Sequence, residues 1–159
     1  MLNRRFLLSL SAAALLAACA TPQRGPASVA ETIARDPQLS TLNTLIQKAG
    51  LAETLKAGGP YTVFAPTNDA FAEIPEKDLN ALLKDKEALT AVLTHHVVPE
   101  TLTPDNLAGT HETLNKDELV VEGSDEMFTA DAEEQANIIC GNIQTANATV
   151  YVVDTVMMP

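Results

Sequence analysis

The sequence predicts an α+β domain, and three observations carry that prediction. Apolar residues recur at helical spacing up to about residue 97, short runs rich in β-branched residues dominate after Pro104, and strands and helices do not alternate regularly. Helices first and strands mostly later is the signature of segregated elements, not of a βαβ array.

Residues 1–18 are set aside as an export signal. A basic start with Arg4 and Arg5 precedes an uncharged apolar run, Phe6 to Ala18, shorter than the ~20 residues of a membrane span. The run ends in Leu16-Ala17-Ala18-Cys19, which has the form of a lipobox, small residues ahead of a cysteine that takes lipid and becomes the mature N-terminus. An ordinary cleaved signal ending at Ala18 is the plainer alternative, and Arg4-Arg5 also has the form of a twin-arginine export signal. The expectation is an exported chain anchored through Cys19 to the bacterial envelope, on the outer membrane or facing the periplasm. Two or more acyl chains make such an anchor stable. Residues 19–27 then form the lipid site and a short Pro/Gly-containing tether, and residues 28–159 a single domain.

Within that domain each element has a local reason. Ser28 and Glu31 stand at capping-box spacing and start a short helix that runs to about Arg35. Ser40 is expected to cap the next, which lines up Leu42, Leu45, Ile46 and Ala49 and stops at Gly50. Residues 51–57 give another turn or two before the Gly58-Gly59-Pro60 break, and residues 61–65 a buried strand. Pro66 cannot donate to a central ladder and turns Ala65 away from the helical region. Thr67 or Asn68 can accept from the free donors of a following helix, and Asp69 suits its N-terminal end. The polar knot Pro66-Thr67-Asn68-Asp69 therefore reads as a strand-to-helix joint, and Ala70, Phe71 and Ile74 carry the helix onward. Pro75 opens a further helix with Leu79, Leu82 and Leu83 inward. Residues 86–97 form a longer one with Ala88, Leu89, Val92, Leu93 and His96 inward. Strands are expected near residues 111–114, 118–122, 126–129, 137–145 and 149–156.

Charge narrows the function. The chain has a formal net charge of −11, and without Arg4 and Arg5 it has 8 basic against 21 acidic residues. Such a surface repels phosphate backbones, so nucleic acid is not expected as a partner. With Cys19 lipidated, Cys140 is the one remaining thiol, expected in a strand as an inert core residue with no internal disulfide.

Three blocks carry a resemblance. Residues 62–71, TVFAPTNDAF, are similar to the first signature block of fasciclin domains, and residues 148–159, ATVYVVDTVMMP, to the second; LTHHVVPETLT, residues 93–103, is similar to the central histidine segment between them. The resemblance spans nearly all of residues 28–159. It implies a wedge-like β-sheet with several packed helices and an extracellular role in adhesion or matrix interaction, without general catalysis. Two departures stand out. Many members have Tyr-His where this chain has His95-His96. Some animal members use an Asp-Ile pair in integrin adhesion, and the nearest match here, Asn142-Ile143, lacks the carboxylate.

Neighbouring helical residues point about 100° apart, so His95 and His96 do not converge on one ion. His96, mid-stripe, reads as a neutral ring bonded to backbone; a zinc site with Glu100 or His111 is the sharper alternative. His95 lies nearer the stripe's edge, where it touches a partner or reports pH, against the plainer reading of a half-exposed surface histidine. No Gly-x-Ser-x-Gly elbow, phosphate cradle or dinucleotide fingerprint accompanies them, so no cofactor or metal is expected. The nine acidic residues from Glu112 to Glu134 lack a calcium-loop spacing and read as a solvated edge. Asp154 interrupts a valine-rich strand and must be satisfied there, which makes it structural. The function these readings favour is a non-enzymatic, lipid-anchored envelope module that binds another protein or a surface polysaccharide, with His95, Asn142 and Ile143 as candidate contacts. An envelope enzyme or metal-dependent catalyst using His95 and His96, or a small-molecule carrier, are the alternatives.

Overall fold

The computed structural model describes residues 27–124, 127–131 and 135–159. The signal segment, Cys19 and most of the tether lie outside them. Ala27 is buried, and its carbonyl accepts from the Ala146 amide at 2.8 Å.

Among the described residues six α-helices come early: α1 (Val29–Arg35), α2 (Ser40–Ala49), α3 (Ala52–Ala57), α4 (Asn68–Glu73), α5 (Glu76–Lys84) and α6 (Lys86–His95). One seven-stranded sheet holds β1 (Tyr61–Pro66), β2 (Val97–Val98), β3 (Gly109–Glu112), β4 (Glu118–Ser124), β5 (Met127–Ala130), β6 (Ala136–Gln144) and β7 (Ala148–Val153), in the order β2-β1-β7-β6-β5-β4-β3. The α+β class holds, with a mixed sheet: β1 and β7 pair in parallel from Tyr61↔Ala148 to Pro66↔Val153, and the other pairs are antiparallel.

Strand periodicity distributes side chains to two cores. Val63 and Ala65 of β1 with Val150 and Val152 of β7 meet Ile33, Leu42, Leu45, Ile46, Leu89 and Leu93 on the helical side. Phe64, Tyr151 and Val153 face the other way, against Val98, Leu102, Leu107, Leu119, Val121 and Met157. Phe64 and Tyr151 stack at 5.8 Å between centroids, and the Tyr151 hydroxyl donates to the Leu102 carbonyl at 3.0 Å. Burial raises the Tyr151 pKa and keeps that hydroxyl a donor. The central pair is thus covered on both faces, which is why β1 and β7 read as near-continuous apolar runs.

The helix ends follow local chemistry. At α1 the Ser28 hydroxyl accepts from the Glu31 amide at 3.3 Å and Glu31 Oε2 accepts from the Ser28 amide at 3.0 Å, the full capping box. Those donors hold the Glu31 carboxyl below its ordinary pKa. Gly50 ends α2 at φ +78°, a left-handed cap that favours glycine. Ser40 departs from expectation: it is the first helical residue of α2, and that helix has no side-chain cap of its own.

Candidate functional site

The joint after β1 is built from main-chain requirements. The Thr67 hydroxyl accepts from the Ala70 amide at 3.3 Å and caps α4, while the Thr67 amide donates to the Val153 carbonyl at 3.2 Å and extends the register by one residue. Asp69 lies in the first turn of α4, at the positive end of that helix. Asn68 does something the sequence did not disclose. Its Oδ1 accepts from the Thr41 amide at 2.9 Å, and its Nδ2 donates to the Pro37 carbonyl at 2.9 Å. It therefore caps α2 from another helix and fills the place left by Ser40, whose hydroxyl donates to the same Oδ1 at 3.3 Å.

At the other end of β7, Asp154 Oδ1 accepts from the Asn137 amide at 2.8 Å and Oδ2 from the Asn137 side-chain amide at 3.0 Å. The Asp154 amide donates back to the Asn137 carbonyl at 3.1 Å. The carboxylate fastens the start of β6 to the end of β7, with Thr155 adding a hydroxyl at 3.2 Å.

His96 is 2% exposed and caps α6. Its Nδ1–H donates to the Val92 carbonyl at 2.7 Å and its Nε2 accepts from the Met157 amide at 3.0 Å. Its own carbonyl accepts from the Phe64 amide at 2.9 Å. These partners fix one neutral tautomer. Burial pushes its pKa from 6.5 to about 4. Both ring nitrogens are spent within the fold, leaving no lone pair for an ion. His111, the other zinc candidate, turns Nε2 to the Leu107 carbonyl at 2.9 Å.

Two expectations, on His95 and Cys140, are corrected here. His95 is not half-exposed at a surface: it is 4% exposed, with Nδ1 3.4 Å from Asp117 Oδ2 and Nε2 3.8 Å from Asp131 Oδ2. The turn between β3 and β4 and Asp131, just after β5, come over the end of α6 and face His95, a long-range event invisible to helical periodicity. Its two carboxylates sit at opposite nitrogens, so they cannot share an ion with the ring, and no metal-holding group occurs among the described residues. Ile143 is half-buried against the helical core, and Asn142 beside it is exposed, with φ +56° in a bulged part of β6. Cys140 is half-buried and disulfide-bonded, not a free thiol.

Asn147 is a residue the sequence reading missed. Its Oδ1 accepts from the Val29 amide at 3.0 Å, while Nδ2 donates to the carbonyls of Leu55 at 2.6 Å and Gly58 at 2.8 Å. Its carbonyl accepts from the Tyr61 amide at 3.0 Å. The side chain thus joins α1 to the end of α3, and the main-chain carbonyl adds the start of β1. An asparagine two residues before a valine-rich strand gives only a weak turn signal in sequence.

Two openings border these residues. An apolar cavity of about 40 Å³ lies between α2, α3, α6 and β1, lined by Leu42, Ile46, Leu55, Val63, Leu93 and His96. An open polar cleft of about 460 Å³ runs over β4–β6, lined by Glu122, Gly123, Thr129, Gln135 and Asn137.

A model of the Fasciclin domain matches residues 37–159. The chain is 40% identical over 137 residues to the cell surface glycolipoprotein MPB83 of Mycobacterium bovis, covering 82% of this chain and 60% of that protein's length. It is 37% identical over 148 residues to the immunogenic protein MPB70 of the same species, covering 85% and 75%, and 34% identical over 135 residues to protein sll1483 of Synechocystis, covering 83% and 73%. Among solved structures, the FAS1 domain pair of the insect cell adhesion molecule fasciclin I superposes with a TM-score of 0.62 at 20% identity, over 76% of this chain and 45% of that one.

Proposed function

Because the chain belongs to the fasciclin domain family, we propose that it is a non-enzymatic interaction module of the cell envelope, exported and held there by lipid on Cys19, that engages another protein or a surface polysaccharide. One observation carries the non-enzymatic reading. The polar atoms of Thr67, Asn68, His96 and Asp154 are spent on main chain or on neighbouring side chains, so the signature residues build the fold and leave recognition to its outside. His95, the other histidine of a catalytic reading, is enclosed with two carboxylates. The exposed residues Asn142, Glu100 and Thr101 remain as contacts from the segments the sequence singled out. The likeness to MPB83, a cell surface glycolipoprotein, supports surface placement and a lipid.

The apolar cavity bears on the carrier reading. At about 40 Å³ it has room for one or a few waters, which favours ordinary packing over carriage of a molecule.

The cysteines set the test. The chain has two, and a Cys19 sulfur that carries a thioether-linked lipid cannot also bond to another sulfur. The disulfide at Cys140 is the observation that favours a second reading, an exported but unlipidated form. Intact-mass measurement of protein from its host membrane, before and after reduction, separates the two. Lipid mass on the mature N-terminus supports anchoring. Its absence, with a gain of two hydrogens on reduction, supports the released form and overturns the anchor. Crosslinking on intact cells with wild-type and Cys19→Ser chains then tests placement: capture of a partner that is lost in the variant is expected. Turnover of any screened substrate that a chelator abolishes would overturn the non-enzymatic reading.

A further inference from the structure

The enclosure of His95 has a consequence set by valence. Its ring is 4% exposed, and neither nitrogen has a hydrogen-bond partner, yet each faces a carboxylate oxygen, Asp117 Oδ2 at 3.4 Å and Asp131 Oδ2 at 3.8 Å. A neutral imidazole has one N–H and one lone pair; only the imidazolium has two donors. In the neutral ring one nitrogen therefore presents its lone pair to a carboxylate, a repulsive contact. In the protonated ring both contacts become charge-assisted and shorter.

The three residues come from three parts of the chain. His95 ends α6, Asp117 lies in the turn between β3 and β4, and Asp131 follows β5. Asp131 also holds main-chain positions on both sides: its amide donates to the Val120 carbonyl at 2.9 Å and its carbonyl accepts from the Gln135 amide at 2.9 Å. Gln135 lines the open polar cleft with Glu122, Thr129 and Asn137. The third titratable neighbour is His96, whose ring meets that of His95 edge-on at 6.3 Å. Lys116, next to Asp117, is 81% exposed and pairs with Glu112 at 3.1 Å, away from the ring. No other charged group among the described residues pairs with His95.

We propose that His95 is a proton-operated clasp: its doubly protonated ring draws Asp117 and Asp131 together over the end of α6 and so steadies Gln135, which bonds to Asp131 and lines the rim of the polar cleft, and its deprotonation releases that hold. Acidification then tightens the outer sheet against the helices, and neutralisation loosens it. Histidine is the side chain suited to such a change near neutrality.

The test uses the folded domain and two readouts. Nitrogen-15 spectra of the His95 ring report how many protons it carries, and amide hydrogen-exchange protection of Ala130, Asp131 and Gln135 reports the rim, both at about pH 5.5 and about pH 7.5. Two ring protons at the lower pH are expected, with severalfold higher protection of those amides than at the higher pH. That pH-dependent difference should vanish in His95→Gln, which keeps a polar group without a second proton, and should shrink in Asp131→Asn. A ring holding one proton at both values, or a rim difference that persists in His95→Gln, overturns the proposal. Should His95→Gln not fold, the Asp117→Asn and Asp131→Asn chains decide it: ring protonation and rim protection must both weaken in each.

Discussion

Acidification should destabilise this domain through His96 in a window set by that residue. Its folded pKa, about 4, lies below the 6.5 of an unfolded histidine. Between those values the unfolded chain takes up a proton that the folded chain refuses, so stability is full above about pH 6.5 and lost as pH falls toward about 4, then levels off. At 1.36 kcal/mol per unit, the gap corresponds to a loss on the order of 3 kcal/mol, a large share of the roughly 5–15 kcal/mol that holds a domain together. The physical source is specific. A proton on Nε2 would confront the Met157 amide, which donates to that atom at 3.0 Å, and would place a charge at a site 2% exposed. Urea unfolding at a series of pH values from about 7 to 4 measures the slope, and His96→Gln removes the titrating group. The variant starts less stable, because it disturbs two buried bonds, but the difference between wild type and variant should narrow by about 3 kcal/mol across the window. A difference that stays constant with pH would refute the reasoning. Glu31 does not interfere above its range: its lowered pKa keeps the capping-box contribution until the pH falls below the ordinary carboxylate range.

Other perturbations test the fastenings one at a time. Asp154→Ala leaves the Asn137 amide without its acceptor and should cost about 2 kcal/mol in denaturant unfolding; a variant that melts normally but loses a binding partner would mean that the carboxylate serves recognition. Asn68→Ala removes the donated cap of α2 and should cost about 1–2 kcal/mol, with faster hydrogen exchange at the Thr41 amide as its local mark. Asn147→Ala frees one amide at the start of α1 and two carbonyls at the end of α3 and should cost about 3 kcal/mol, seen as a fall in thermal midpoint.

Some of this architecture is legible in the sequence because its causes are local. The capping box of Ser28 and Glu31, the stop at Gly50 and the cap of α4 at Thr67 each depend on residues a few positions apart. The order of helices before strands follows from periodicity. What escaped is what the chain assembles from afar. The two-residue strand β2 exists because Val97 and Val98 find β1, not because of any run of their own. The cap of α2 comes from Asn68, 27 residues from the Thr41 amide it accepts. His95 and His96 show the limit most clearly. Periodicity ranks His96 as inward and His95 as marginal on the assumption that a helix has one buried face, whereas the turn after β3 and Asp131 after β5 give α6 a second cover at its end. The sulfur state of Cys140 escaped for a different reason: nothing in the residues around a strand cysteine says whether its sulfur is oxidised.

The central strands β1 and β7 come from near opposite ends of the domain and are parallel, so no turn holds them together. Their association must be closed by other contacts, and the last residues supply an essential one. Met157 is fully buried in the core beneath Tyr151 and Phe64, and its amide satisfies His96 Nε2. Deleting residues 157–159 therefore acts on both sides of the sheet. The lost methionine costs about 2–5 kcal/mol in the second core, and the orphaned imidazole nitrogen about 1–3 kcal/mol more. Against a total of roughly 5–15 kcal/mol, the shortened chain should be largely unfolded or should lose cooperative melting near room temperature. Circular dichroism melts of the full and shortened chains decide the matter. A shortened chain that melts within a few degrees of the full one would show that β1 and β7 are held by the helices alone, and that the second signature block is not the lock argued for it.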